Sequence, residues 1–329
     1  MRIVLTAVLA SALLAQAEAP GSRGVLAQAD AALQAGEADH ALALLQPLTA
    51  KQEQHSDAKE IAQAHNLTCR VYYILEQWDR AAGECEQAVK MDGGSSNYHL
   101  WLGRALGGKA EHASFLSAYA LGKRVKSEFE EAVRLDPRNA EALADLGEFY
   151  YQAPGIVGGG EDKAEGVARQ LDPIDPIRAN ELRAHIAEEH KDYSAAERQI
   201  KAAVAASNRP AFQWMGLASF YRRHQRWAEM EAAVLSGLHA AEHDRRAGVA
   251  LYGGASVLIR AGRNTPLAAK MMESYLAGPV KTEEAPAFVA HLELARLKDQ
   301  LGDPAAAERE RSAAHALAHE YRLAQDSKH

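Results

Sequence analysis

Small residues return along this chain at a nearly constant interval. Ala29, Cys69, Gly103, Gly147, Ala184, Ala218, Ala255 and Ala295 are separated by 40, 34, 44, 37, 34, 37 and 40 residues. A period in this range means that one supersecondary unit is stacked repeatedly, and it constrains the fold more than length or composition does. Large apolar residues surround each small one at helical spacing. Turn residues such as Gly36-Glu37, Gly262-Arg263 and Gly302-Asp303-Pro304 fall where a helix pair must reverse. The small residue lets the second helix of a pair approach closely, and the larger ones fill the space to the next pair. No pair can bury its apolar face alone. The expectation is an all-α, right-handed superhelical solenoid of about seven to eight antiparallel hairpins over residues 25–317, with a concave side.

Composition agrees with this. Apolar residues make up 47% of the chain but aromatics only 6%, which suits helices packed through Ala and Leu. The formal net charge of −7 argues against nucleic-acid binding, which needs a basic face.

Three segments carry the pattern most clearly. One runs Trp214-x2-Leu217-Ala218-x2-Tyr221, then Trp227, Met230, Val234 and Gly237-Leu238. Another runs Leu143-x2-Leu146-Gly147-x2-Tyr150, and a third contains Tyr72, Trp78, Ala81, Cys85, Ala88 and Met91. These resemble the tetratricopeptide repeat, and the resemblance implies a protein-binding solenoid whose first helices line the groove. Two segments depart from the regular period. The stretch 107–126 holds a ten-residue excess, expected as an inserted hairpin or spur, and QAPGIVGGGEDKA lengthens the turn at 153–163. Together they are similar to a group of exported bacterial tetratricopeptide proteins, a likeness that supplies no mechanism.

The glycine-rich turn is not read as a phosphate cradle. Gly155 and Gly160 keep the required glycine spacing, but Glu161-Asp162 follow where Lys and a hydroxyl are needed. The segment His239-Ala240-Ala241-Glu242-His243 matches H-x-x-E-H, the helical signature of a zinc hydrolase. It closes the second helix of a well-formed repeat and is read as a solvated helix end. No cofactor, metal or catalytic residue is expected.

The N-terminus, MRIVLTAVLASALLAQAEAP, has one basic residue, an apolar run and small residues in an A-x-A arrangement. It is read as a signal peptide over 1–17, leaving a solenoid over 18–329 that is periplasmic or secreted and not inserted in a membrane. Cys69 and Cys85 both fall at small positions of the repeat. An oxidising compartment permits them to pair, and burial as free thiols is also consistent with the pattern.

Positions two before, one after and four after each small residue share one helix face. In the inner repeats that face carries Arg70, Tyr73, Trp101, Arg104, Asp145, Glu148 and Tyr151. By the resemblance it lines the groove, and its Trp, Tyr and Arg content is that of binding hot spots. The expected function is a non-catalytic scaffold or adaptor that binds a peptide or protein segment in the cell envelope. The alternative is a structural component of an envelope assembly such as pilus, secretion or cell-wall machinery.

Overall fold

The computed structural model describes residues 21–50, 57–242, 244 and 246–321; the leader expected at 1–17 and His243 lie outside them. The described residues form sixteen α-helices and no strand. They pair in chain order. The first four pairs are α1 (Ser22–Ala35) with α2 (Ala38–Thr49), α3 (Ala58–Ile74) with α4 (Trp78–Met91), α5 (Ser96–Glu111) with α6 (Phe115–Leu135), and α7 (Ala140–Gln152) with α8 (Glu161–Leu171). The last four are α9 (Pro176–Glu189) with α10 (Tyr193–Ala206), α11 (Ala211–Arg223) with α12 (Trp227–Ala241), α13 (Gly248–Ala261) with α14 (Thr265–Ala277), and α15 (Ala287–Gln300) with α16 (Pro304–Leu317).

All eight small residues lie on first helices, and all are buried. Their smallness is a packing requirement. A Cβ on Gly103 would overlap the Phe129 ring of α6, and one on Gly147 would overlap Leu182 of α9.

Turn chemistry explains the regular hairpins. In six of the eight, a residue just after the first helix has a left-handed backbone: Gly36, Glu76, Lys191, Gln225, Gly262 and Gly302, with φ between 56° and 80°. The hairpins α5–α6 and α7–α8 lack this residue at that place, and they are the two whose sequences depart from the period. Several helices then start on a side-chain cap. Asp57, Asn139, Asp175, Asp192, Asn264 and Asp303 each accept a backbone N–H of the following turn, which satisfies a donor the helix cannot.

A second device recurs inside hairpins. His65, His99 and His291 each stand four residues before a small residue, and each pairs at 2.6 Å with a glutamate of the second helix, Glu84, Glu128 and Glu310. The glutamate lies fifteen residues after Cys69 and Ala295 but twenty-five after Gly103. The ten-residue excess therefore lies inside the third hairpin, where α6 reaches 21 residues. At the glycine-rich turn, a single 3-10 turn (Gly155–Val157) separates α7 from α8. Gly160 N–H donates to the Tyr150 carbonyl at 2.8 Å, folding the loop back on α7. Cys69 of α3 and Cys85 of α4 are disulfide-bonded, with Cα atoms 5.3 Å apart.

The two ends of the array meet. Phe288 of α15, with Ala314 and Ala318 at the end of α16, shares one apolar core with Leu26, Leu33, Leu45 and Val71 of the first two hairpins. Ala287 sits so close to Gly36 that a Cβ there would overlap its backbone nitrogen. Polar contacts close the seam: His319 Nδ1 to Asp39 at 2.7 Å, Arg80 to Glu320 at 2.8 Å, and the Tyr321 hydroxyl to Glu76 at 3.2 Å. Each terminal hairpin thus covers an apolar face that would otherwise need a polar capping repeat.

Candidate functional site

The face predicted to line the groove is bonded laterally from one first helix to the next. Arg104 of α5 donates from Nε to Asp145 of α7 at 2.5 Å and reaches Glu141 at 3.2 Å. Glu148 of α7 accepts from His185 of α9. Glu188 of α9 accepts from Arg223 at 2.7 Å and pairs with His224 at 2.9 Å, both at the end of α11. The Glu148 carboxylate holds the His185 imidazole above its ordinary pKa, against the opposing effect of burial. Such a ladder fixes the rotation of each hairpin on the next as well as marking a surface.

The structure distributes the seven candidate residues unevenly. Arg70, Tyr73, Trp101, Arg104 and Asp145 come together in one cluster, and Glu148 and Tyr151 lie a repeat further on. Trp101 is only 6% exposed. The Arg70 and Arg104 guanidinium groups sit over its ring at 5.2 and 4.6 Å, and Tyr73 meets it edge-on at 5.5 Å. Trp101 is therefore the floor of the site, because two cations and a neighbouring ring already cover it. Tyr73 and Tyr151 are half-buried, and the Tyr151 ring packs at 6.1 Å from His185.

Several residues of the site carry no signal in the repeat. Glu283, in the connection between α14 and α15, reaches across and takes Arg70 from two nitrogens at 2.9 and 2.6 Å. Arg70 also lies 3.4 Å from Asp30 of α1. Tyr252 of α13, Glu284 and Tyr321 complete a cavity of about 430 Å³ bounded on the other side by Tyr73, Trp78, Trp101 and Arg104. The cavity exists only because the seventh and eighth hairpins return to the second and third. Sequence spacing cannot show that return.

The remaining candidates stand apart from this cluster. His239 is 80% exposed and lies 3.2 Å from Glu242 on the same helix end. Among the described residues, no group of three His, Cys, Asp or Glu side chains is placed to hold a metal. Beside the glycine-rich turn, Phe115, Leu116 and Ile156 are 78%, 80% and 66% exposed. Phe115 and Ile156 border an apolar pocket of about 390 Å³ between α6 and the turn.

Paired helices in chain order, small residues at each crossing and first helices bonded laterally to one another define a tetratricopeptide-like helical-repeat protein. Comparison with a solved structure agrees on the fold. The fold matches that of a thermophilic TPR protein from Thermus thermophilus with a TM-score of 0.50, at 18% identity, over 61% of this chain and 98% of that one. A tetratricopeptide repeat protein from Parabacteroides merdae is 12% identical over 84% of this chain and 98% of its own, with a TM-score of 0.48. A family described as Regulator of microtubule dynamics protein 1-3 matches residues 25–155, less than half of the chain. Among curated protein sequences, none matches this chain.

Proposed function

We propose that this protein is a non-catalytic scaffold that docks a peptide or protein segment on its inner face, in the bacterial cell envelope. The observation that carries this reading is the 430 Å³ cavity on that face, where Tyr73 and Arg104 confront Tyr252 and Tyr321 from the opposite end of the array. A preformed concavity with amphipathic rings at its rim is the usual setting for binding anchors. The leader expected at 1–17 and the Cys69–Cys85 bond support an oxidising, exported setting.

A second reading, a structural component of an envelope assembly, is favoured by the exposed Phe115, Leu116 and Ile156. Contiguous apolar surface of this kind marks interaction sites.

Photocrosslinking in cells tests both readings. A photoreactive residue at Tyr73 or Tyr151 should capture one dominant envelope protein, and capture only from Phe115 would transfer the function to the spur. Stoichiometric zinc that disappears in His239→Ala would overturn the non-catalytic reading.

A further inference from the structure

We propose that the cavity between the two ends of the array is a recognition site for an organic cation, a guanidinium or alkylammonium group. The proposal rests on the docking reading in one respect: the cation is taken to be a Lys or Arg side chain of the docked segment.

The wall chemistry selects this class. Four half-buried aromatic side chains, Tyr73, Trp78, Tyr252 and Tyr321, surround the space together with the carboxylates of Glu76, Glu283 and Glu284. Aromatic faces carry negative quadrupole density, so they attract cations and repel anions. Carboxylates at the same rim strengthen that preference.

Cations already present do not cancel it. Among the described residues Arg104 is the only cation on the wall, and Asp145 and Glu141 hold it from behind. Arg70 neutralises Glu283 but also has Asp30 beside it. Glu76 accepts from the neutral Tyr321 hydroxyl, and among the described residues neither Glu76 nor Glu284 has a cationic partner. The site is left with uncompensated negative charge facing aromatic rings.

The raised pKa of the Tyr73 hydroxyl comes mainly from burial; Arg104 opposes it, and Asp145, Glu111 and Glu283 add smaller rises. A phosphate or carboxylate ligand would meet like charge. A cavity of about 430 Å³ admits one guanidinium-bearing or ammonium-bearing side chain with part of its backbone, within the range of about 300–1,000 Å³ usual for ligand sites.

Calorimetric titration of the purified protein with N-acetylarginine amide, spermidine and the neutral citrulline analogue tests the site, alongside selection from a random displayed peptide library. The expected result is binding of the cations without the citrulline analogue, and selected peptides rich in Lys and Arg. Glu76→Gln with Glu284→Gln should weaken binding about tenfold, the scale of two carboxylates several ångströms from a charge at a protein surface. Tyr252→Leu should weaken it independently. Both carboxylates are exposed, and unchanged helical circular dichroism checks that the variants fold. Binding of spermidine without any selected peptide would support the cation site, assign it to a free amine and overturn the docking reading. Selected peptides without basic enrichment, or full affinity in both variants, would overturn the cation site and leave docking standing.

Discussion

The Arg70 guanidinium and the Glu283 carboxylate, 213 residues apart in the chain, form a two-nitrogen pair at 2.9 and 2.6 Å with both side chains 13% exposed. The pair joins the second hairpin to the connection entering the eighth, so it acts as a clasp on the closed array. Removing one partner strands a nearly buried charge. Arg70→Ala or Glu283→Ala should each cost about 3 kcal/mol in urea unfolding. An apolar double replacement, Arg70→Met with Glu283→Leu, should recover most of that loss. If the single and double variants lose stability additively, the clasp does not exist.

Two glycines in first helices should respond to alanine with opposite signs. Alanine favours a helix over glycine by up to about 1 kcal/mol. At Gly216 of α11 a Cβ meets nothing within 4 Å, so Gly216→Ala should stabilise by about 0.5–1 kcal/mol. At Gly103 the same atom would overlap the Phe129 ring, and overpacking costs about 1–3 kcal/mol. The clash outweighs the propensity, and Gly103→Ala should lower the melting temperature. Combining it with Phe129→Leu should restore part of the loss.

Lys191 turns the fifth hairpin with φ at 60°, a conformation glycine adopts freely. Lys191→Gly should stabilise modestly, by about 0.5–1 kcal/mol, because relief of left-handed strain of about 1–2 kcal/mol exceeds glycine's added unfolded-state entropy. Gly262→Ala, at φ 62° in the seventh hairpin, should destabilise by a similar amount. Chemical unfolding of the two variants gives both signs directly.

The His99–Glu128 bond makes stability depend on pH. The hydrogen bond that Glu128 accepts raises the His99 pKa, burial opposes, and the Gly93 carbonyl adds to the rise. A group whose folded pKa lies above its unfolded value contributes fully below the unfolded value, about 6.5 for histidine, and loses that contribution as pH climbs through the folded value. Unfolding free energy should therefore fall as pH rises above the ordinary histidine value of about 6.5. The slope should be shallower in His99→Gln. An unchanged slope would show that the imidazole stays neutral in the fold.

The Cys69–Cys85 bond joins residues 16 apart within the second hairpin. Loops of this size constrain the unfolded chain by about 3 kcal/mol. Unfolding under reducing conditions should show that loss. The double variant Cys69→Ala with Cys85→Ala should lose as much and be insensitive to reductant.

The chain's repeat was legible because local physics sets it. Small residues at helix crossings, apolar stripes, and turn glycines such as Gly36 and Gly262 act within one hairpin or between neighbours. A one-dimensional pattern records such contacts, so about seven to eight hairpins and the register of Ala29 through Ala295 could be read directly. Helical spacing also places Arg70, Arg104, Asp145 and Glu148 on one face of the first helices, whereas the groove-lining role of that face came from the family resemblance. The pairing of Cys69 with Cys85 was left open by spacing and is settled by the approach of α3 to α4.

Closure was decided only in three dimensions. Each hairpin adds a small rotation to the last, and whether Phe288 returns to Leu26 and Leu33 depends on the sum over the whole array. No local window contains that sum. The same accumulation carries Glu283 to Arg70 and brings Tyr252 and Tyr321 opposite Tyr73. It also turns Trp101 from an expected anchor into a covered floor, because Arg70 and Arg104 stack on its ring while carboxylates from other repeats hold them there.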